Sequence, residues 1–544
     1  MKKPLPRRGR CVPMLLVAGL VSGLIACDVP TAPPGVELSL GAVTGEWSAF
    51  EEEPVAAFLG MPFARPPLGS LRWARPEPPQ PWAETLVADD SGPACWQDHT
   101  PKTTVYSRGE IERSEDCLRL NVWTKAVGGD RLPVMVWFHG GGHTTGSNGA
   151  RIFEGARLAS KGVVLVSANY RLGPLGFLAH PELSAESAER HGVDASGNYG
   201  LWDKVAALEW VRDHIEAFGG DPTNVTIFGQ SAGSMSVCAL MTAAAAEGLF
   251  HKVIGQSATC LPPLPARVDG PPERHGVEIA ESVGDGTLAA LRAATPAELF
   301  AASTAAPTPA TELIVDGALV ERQPSEAFRR GAHHSVPLLV GSMADEETAL
   351  FPVQEFSREQ LEGLLKSDFG GLGAAVLDAY AAELESKSPG EVYRKILSDR
   401  FFDHATRRWA GQVSAHGQPA WVYLFSRPTP AFLLYLHEEP PLEVEGGRLG
   451  LGAYHSGDLA YVFDNQHLVG FEWDERDAEI AEEISSYWVR FATTGDPNGA
   501  GLPEWPAYDA VRDQILQFGE VTSAVEGWKA ERLLLFDTGP EGTP

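Results

Sequence analysis

The pentapeptide Gly229-Gln230-Ser231-Ala232-Gly233 restricts the fold of this chain more than any other feature. It directly follows the apolar run Val225-Thr226-Ile227-Phe228 and precedes a run with helical character from Ser234 to Ala245. A serine between two glycines in this context predicts a sharp strand–turn–helix elbow, in which side chains at the glycine positions would collide with neighbouring backbone. Ser231 is therefore the candidate nucleophile.

A second serine shows why the surrounding pattern matters. Gly255-Gln256-Ser257-Ala258-Thr259 repeats the start of the motif, but Thr259 replaces the last glycine. The following Leu261-Pro262-Pro263 prevents an immediate helix, because proline lacks the N–H that a helix interior needs. We therefore interpret Ser257 as a structural residue.

Short apolar runs alternate with helical patterns along the chain. Residues 134–138, 163–166, 225–228 and 336–340 are typical of buried strands, and residues 202–218 have the apolar spacing of a helix. This alternation predicts an α/β fold with a large, mostly parallel central sheet and helices on both faces. Functional residues are expected at the carboxyl ends of its strands. The Ala- and Pro-rich stretch 261–311 is expected to be an irregular helical insertion, not a separate domain.

A run of glycines follows one of the predicted strands. His139-Gly140-Gly141-Gly142 comes directly after residues 134–138. Glycines there leave backbone N–H groups free to face a developing negative charge. We predict an oxyanion hole formed by the N–H groups of Gly141, Gly142 and Ala232, in which one donor contributes about 3 kcal/mol.

With these motifs the chain resembles the type-B carboxylesterases, the family that includes the cholinesterases. The resemblance extends from about Gly41 to Asp509 and implies a single α/β-hydrolase domain over residues 37–544. It further implies a serine esterase that works through an acyl-enzyme, without a cofactor or a metal. Its other marks, in family order, are Phe58–Ala64, Pro66–Gly69, Leu71-Arg72-Trp73, Ser114–Val122, Asn169–Gly173 and Gly197–Asp203.

The resemblance also implies the partners of the nucleophile, which spacing alone cannot single out among 15 histidines and 72 acidic residues. The family's acid lies just after a strand and corresponds to Glu346. Glu347 replaces a glycine that is usual in the family, so Asp345 and Glu347 stay open as alternatives. The family's histidine corresponds to His455. The chain order serine, acid, histidine is the one expected of this fold.

Other matches to the family are interpreted as structural. By resemblance, Arg72 should pair with Glu115, and Arg171 with Asp203. Buried pairs of this kind hold loops firmly once formed, because removing one partner leaves an unpaired charge. We do not assign these residues to catalysis.

Some departures from the family concern the substrate. Gln230 stands where the family commonly has Glu, so the pocket should attract cations less. The loop between Cys95 and Cys117 lacks the tryptophan that binds choline in cholinesterases, which disfavours that activity. His143 and His404 are interpreted as structural, with His143 expected close to the pocket because it follows the glycines.

The first 26 residues are typical of a bacterial lipoprotein signal. Basic residues precede an apolar stretch from Val12 to Ile25, and Leu24-Ile25-Ala26-Cys27 resembles a lipobox. We expect lipidation of Cys27, a tether over residues 27–36, and an exported protein that contacts a bacterial membrane only through this lipid. Ordinary cleavage near Ala26 is the alternative.

Export would place the remaining cysteines in a compartment that permits disulfides. Cys95 and Cys117 are expected to pair around a surface loop. Cys238 and Cys260 fit either a second disulfide or two buried thiols. No Cys/His spacing resembles a zinc site, so no metal is expected.

The acidic composition narrows the class of partner. A formal net charge of −29, spread along the chain, repels nucleic acid, so we expect a small-molecule ester as substrate. Three alternatives stay open: an amidase or carbamate hydrolase with the same triad, a lipase for long-chain fats, and a non-catalytic binding module. The last is disfavoured because every catalytic element is present. The sequence predicts no oligomeric state.

Overall fold

The structure is a computed structural model. It describes residues 32–48, 54–100, 102–129, 131–268, 270–310, 312–436, 442–469 and 473–537. The predicted signal and Cys27 lie outside these residues. Within the described segments, no helix is long and apolar enough to cross a membrane.

The strands are short and are distributed over almost the whole described chain. In chain order they are β1 (Gly35–Leu38), β2 (Gly41–Thr44), β3 (Glu46–Trp47), β4 (Ala56–Pro62), β5 (Leu86–Val87), β6 (Ala94–Cys95), β7 (Arg113–Ser114), β8 (Arg119–Thr124), β9 (Leu132–Phe138), β10 (Val164–Ala168), β11 (Gly220–Gln230), β12 (Lys252–Gln256), β13 (Leu338–Met343), β14 (Ala420–Phe425), β15 (Gln514–Phe518) and β16 (Ser523–Glu526).

The α-helices lie mostly between these strands. In chain order they are α1 (Ala156–Ser160), α2 (Gly173–Phe177), α3 (Pro181–His191), α4 (Tyr199–His214), α5 (Ala232–Leu240), α6 (Pro271–Val283), α7 (Leu288–Ala293), α8 (Pro296–Ala305), α9 (Pro324–Arg329), α10 (Glu347–Leu350), α11 (Arg358–Phe369), α12 (Gly373–Ala379), α13 (Pro389–Ser398), α14 (Ala405–Ala415), α15 (Leu459–Val462), α16 (Glu475–Thr494) and α17 (Ala530–Leu533). A π-helical stretch, Asp399–His404, joins α13 to α14.

An eleven-stranded sheet organises the molecule, in the order β16-β15-β14-β13-β12-β11-β9-β10-β8-β4-β3. From β10 to β15 the neighbouring strands are parallel, and the strands at both edges are antiparallel. The predicted α/β-hydrolase fold is thus confirmed. The strand order reverses around β9, which lies between β10 and β11, and such a switch point is where open α/β sheets form their sites.

The sheet is buried on both faces, as strand β9 shows. Its residues Val134, Val136 and Phe138 belong to one hydrophobic cluster, which includes residues of α4, α5 and α14. Met135 and Trp137 belong to another, with residues of α1, α15 and α16. Burial on both sides explains why the run is continuously apolar instead of alternating.

The structure contains the predicted strands and helices, but some of them begin or end at other residues. The strand predicted at 336–340 begins only at Leu338, and β11 extends back to Gly220 through polar residues. The helix predicted at 202–218 starts at Tyr199 and tightens into a 3₁₀ turn, Ile215–Phe218. The stretch 261–311 contains α6, α7 and α8, in agreement with an irregular helical insertion.

Two disulfides stabilise loops beside the sheet. Cys95 is bonded to Cys117, as predicted. Cys238 is bonded to Cys260, which decides the question that the sequence left open. This second bond joins α5 to the segment after β12, and both of these follow strands of the central sheet.

The two arginine–carboxylate pairs are also confirmed. Arg72 Nη2 lies 2.5 Å from Glu115 Oε1 and its Nε lies 2.8 Å from Oε2. Arg171 Nε and Nη2 lie 2.9 and 2.7 Å from the two carboxylate oxygens of Asp203, and both of these side chains are buried. The bidentate geometry is the strongest form of such a pair.

We expect the variant Asp203→Ala to lose about 3–5 kcal/mol of unfolding free energy, because it leaves the Arg171 guanidinium buried without its carboxylate. Urea unfolding followed by circular dichroism measures this loss. The matched control is Glu216→Ala, which removes an exposed partner of Arg131 and should cost at most about 1 kcal/mol. Equal losses in the two variants would contradict the prediction.

Candidate active site

Ser231 occupies a sharp elbow at the carboxyl end of β11. Its φ of 56° and ψ of −124° lie in a region that non-glycine residues rarely adopt. A Cβ atom added at Gly233 would lie 2.0 Å from the carbonyl oxygen of Phe138, and one at Gly229 would lie 2.5 Å from the Gly233 carbonyl carbon. Only glycine fits at either position, which explains the motif. Helix α5 begins at the next residue, Ala232.

His455 and Glu346 form a buried pair. Nδ1 of His455 lies 2.6 Å from Oε2 of Glu346, whose Oε1 accepts the N–H of Met343 at 2.9 Å. An ionised carboxylate can only accept hydrogen bonds, so Nδ1 carries the imidazole proton. Nε2 is thereby left unprotonated in the neutral ring.

The neighbouring acids contact other groups. Asp345 accepts the N–H of Ala453 at 3.0 Å through Oδ2, and its own N–H donates to the Ala453 carbonyl. Glu347 pairs with the buried amine of Lys395 at 3.3 Å. The Asp345 contacts join the acid loop to the loop that carries His455. Of the three candidate acids, Glu346 is therefore the one that contacts His455.

The Nε2 atom of His455 faces the elbow. It lies 3.0 Å from the side-chain amide nitrogen of Gln230, the residue before Ser231. An amide N–H can donate to an unprotonated imidazole nitrogen. Sequence reasoning considered Gln230 only for its missing charge and did not predict this contact, because nothing in the local pattern relates residues so far apart.

The glycine loop packs against the elbow. A Cβ atom added at Gly140 would lie 3.1 Å from Cβ of Ser231. The φ angles of Gly141 and Gly142 are 114° and 57°, and their N–H groups donate to no other described residue. The N–H of Ala232 is at the first position of α5 and has no partner within its own helix. These three groups are available to bind an oxyanion.

The loop enclosed by Cys95 and Cys117 contributes further contacts. Tyr106 donates its hydroxyl to the carbonyl of His455 at 2.8 Å. Arg108 is buried, with its guanidinium carbon 3.3 Å from the ring centroid of Tyr435, and burial lowers its pKa. Its Nη2 would lie 2.9 Å from a Cβ atom at Gly141, so this loop supports the glycine loop from one side.

Asp458 is a buried acid close to the His455–Glu346 pair. Its Oδ2 accepts hydrogen bonds from the amide of Gln256 at 2.9 Å and from the Tyr423 hydroxyl at 3.2 Å. Burial, with a smaller contribution from Glu346, raises the pKa of Asp458 to about 6. The fold therefore disfavours its ionised form.

This raised pKa predicts how Asp458→Asn affects stability. Since the folded protein binds this proton more tightly than the unfolded chain, ionisation costs stability as pH rises from about 4 to 6, and the full cost of about 3 kcal/mol is present above that range. The unfolding free energy of the variant, relative to the parent, should therefore be higher at pH 7 than at pH 4. Urea titrations at both values test this, and a pH-independent difference would contradict it.

Comparisons with known proteins agree with this geometry. The model of the carboxylesterase family matches residues 32–535. The chain is 34% identical to the fumonisin B1 esterase of Sphingopyxis macrogoltabida over 90% of this chain and 86% of that protein. It is 32% identical to the para-nitrobenzyl esterase of Bacillus subtilis, over 91% and 98%. A Geobacillus stearothermophilus carboxylesterase structure matches with a TM-score of 0.76 and 30% identity, over 92% and 99%.

Proposed function

The chain belongs to the carboxylesterase family and hydrolyses carboxylic esters, and from this premise we propose that Ser231, His455 and Glu346 carry out the hydrolysis. The proposal rests on one observation above all. The buried 2.6 Å contact between His455 Nδ1 and Glu346 orients the unprotonated Nε2 toward the elbow. This is the tautomer that a general base beside a serine needs.

In the first half-reaction, Ser231 Oγ attacks the ester carbonyl carbon while His455 Nε2 takes the hydroxyl proton. The carbonyl oxygen becomes an oxyanion and accepts hydrogen bonds from the N–H groups of Gly141, Gly142 and Ala232. The bond between the carbonyl carbon and the alcohol oxygen then breaks, and His455 returns the proton to the departing alkoxide. An acyl group remains on Ser231.

Water repeats these steps in the second half-reaction. His455 takes a proton from the water, whose oxygen attacks the acyl carbon. When the bond to Ser231 breaks, His455 returns the proton to Oγ and the carboxylic acid leaves. Glu346 stays ionised throughout and stabilises the imidazolium that forms in each half.

Gln230 holds the ring of His455 between turnovers. Its amide N–H donates to Nε2 and keeps the ring in place. The donor is neutral, so it adds no negative charge beside the base. Ser231 replaces this partner when the substrate enters.

Active-site labelling tests the proposed nucleophile. The full chain is incubated with diethyl p-nitrophenyl phosphate, whose phosphorus Ser231 Oγ would attack with loss of p-nitrophenolate. We expect one p-nitrophenolate per chain and one diethylphosphoryl group on the peptide that contains Ser231. The variant His455→Ala should label at least about 100-fold more slowly, since it lacks the general base. Labelling of Ser257 instead of Ser231 would contradict the proposal, and so would a folded protein that does not label at all.

We also propose that the protein is exported and held at a bacterial membrane by a lipid on Cys27. The support is the basic and apolar leader followed by Leu24-Ile25-Ala26-Cys27. Cells expressing the full chain and fed an alkyne fatty acid should incorporate the label, and the protein should sediment with membranes. Cys27→Ala should lose both properties, whereas the matched variant Cys11→Ala should keep them. A Cys27→Ala protein that keeps the label would contradict the proposal.

A further inference from the structure

A second set of hydrogen-bonded serine, histidine and glutamate side chains lies beside the glycine loop. His143 directly follows Gly142. Its Nδ1 lies 2.9 Å from Oε2 of Glu312, and its Nε2 lies 2.9 Å from Oγ of Ser236. Ser236 Oγ also lies 2.8 Å from the carbonyl oxygen of Ala232, one turn back in α5. One side chain thus connects the glycine loop, the elbow helix and the segment that carries Glu312.

These contacts do not form a second hydrolytic site. His143 and Ser236 are both 0% exposed, so an ester cannot reach the serine hydroxyl. Ser236 also lies within α5, where the backbone is helical, and not at a strained turn. These hydrogen bonds therefore hold the glycine loop in position against α5.

The backbone at this point needs such support. Gly141, Gly142 and His143 form a run of positive φ angles of 114°, 57° and 50°. A residue other than glycine loses about 1 kcal/mol or more of stability in a positive-φ conformation, and it keeps that conformation only where its surroundings hold it. The His143 carbonyl accepts the N–H of Gly173 at 2.8 Å. The two side-chain hydrogen bonds of His143 supply the rest of the support.

Protonation follows from the partners. The carboxylate of Glu312 can only accept, so Nδ1 of His143 carries a proton and donates it to Oε2. Burial lowers the pKa of His143, while Glu312 opposes this and the buried Lys204 adds to it. The Ser236 hydroxyl has a single proton, and Nε2 of the neutral ring shares it with the Ala232 carbonyl, since the two acceptors lie 2.9 and 2.8 Å from Oγ. His143 then carries no net charge.

Glu312 is well placed to act on the loop. Its side chain is 40% exposed, and Oε1 would lie 3.6 Å from a Cβ atom at Gly142. Two residues further on, Ile314 exchanges two hydrogen bonds with the side chain of Asn198, at 2.9 and 3.2 Å. The segment is thereby fixed to the start of α4. The backbone near Glu312 is therefore held in place, and its carboxylate contacts the glycine loop from there.

We propose that Glu312 is a positioning residue for ester hydrolysis, which acts through His143 to hold the N–H groups of Gly141 and Gly142 where the oxyanion forms. The inference rests on the proposed roles of Ser231 and of these N–H groups. It assigns a function to a residue outside the triad and explains why a histidine follows the glycines. An oxyanion exists only after attack, so Glu312 contributes to transition-state binding and not to substrate binding.

Kinetics of Glu312→Ala on p-nitrophenyl butyrate separate these two contributions. We expect kcat to fall about 10- to 100-fold, as a misplaced catalytic group would cause, with KM unchanged. Glu312→Gln keeps an acceptor for the Nδ1–H group of His143 and should retain most of kcat. The matched control Glu321→Gln changes an exposed carboxylate further along the same segment of the chain and should behave like the parent.

A trifluoromethyl ketone gives a second readout that a purely structural role would not change. Ser231 Oγ adds to its carbonyl carbon, the hydroxyl proton passes to His455, and the ketone oxygen becomes an oxyanion in the hole. Its inhibition constant should rise in Glu312→Ala by the factor by which kcat/KM falls. Unchanged kcat and inhibition constant in Glu312→Ala would overturn the inference, as would equal losses in Glu312→Gln and Glu312→Ala. If the parent fails to label at Ser231, the proposed nucleophile fails first.

Discussion

Replacing Ser231 with alanine should lower kcat/KM on p-nitrophenyl butyrate by about 10⁴- to 10⁶-fold, the loss typical when a serine nucleophile is removed. No other group at the elbow can form the acyl-enzyme, so the variant keeps only binding and the oxyanion donors. Initial rates measured on matched amounts of parent and variant provide the test. The variant should unfold at the same urea concentration as the parent, because the change removes only the Ser231 hydroxyl.

Ser257 provides the matched control for this experiment. It also follows a strand, β12, and its φ of 55° is nearly that of Ser231. Its side chain is fully buried, however, so an ester cannot reach it. Ser257→Ala should therefore lose at most about 10-fold in rate, the scale of an indirect packing effect. Comparable losses in the two variants would contradict the assignment of Ser231 as the nucleophile.

The sequence predicted the apolar centres of the strands better than their ends. Strands such as β9 are buried on both faces and read as continuous apolar runs, so their pattern is unambiguous. The first part of β11 contains Asp221, Thr223 and Asn224, and its pairing with β9 is irregular there. A polar extension of this kind depends on its neighbour in the sheet, which local pattern does not reveal.

The same limit applies to the candidate site. Ser231 and the glycine loop were predicted from consecutive residues, because each motif has its own local geometry. His455 and Glu346 are 109 positions apart, and they were identified by resemblance alone. The contacts of Gln230 with His455 and of His143 with Glu312, over 225 and 169 positions, were not predicted.

The second disulfide illustrates why the sequence does not reveal contacts between distant residues. The sequence does not decide whether Cys238 and Cys260 pair, because pairing requires their Cα atoms to be within about 7 Å and spacing in the chain does not determine that distance. In the fold these atoms are 5.5 Å apart, because α5 and the segment after β12 follow adjacent strands. Only the strand order provides this information.

Glu346→Gln is expected to lower kcat by about 10⁴-fold, the loss seen when an amide replaces the acid of such a triad. The glutamine N–H would donate to Nδ1 of His455 and so place the ring proton on Nε2. An Nε2 that already carries a proton cannot accept one from Ser231. Steady-state rates on p-nitrophenyl butyrate measure the loss, and the fold should persist because the side chain keeps its volume.

Variants of the neighbouring acids, Asp345 and Glu347, test whether the loss of activity is specific to Glu346. Asp345→Asn keeps an oxygen that can accept the N–H of Ala453 and should retain activity within about 10-fold. Glu347→Gln removes the charge that pairs with Lys395, so it should lower the unfolding free energy by about 3–5 kcal/mol while activity persists in the folded fraction. If Asp345→Asn or Glu347→Gln lost as much activity as Glu346→Gln, the acid would not be identified by its contact with His455. An active Glu346→Gln variant would exclude it from the triad, because no tautomer switch would then limit the reaction.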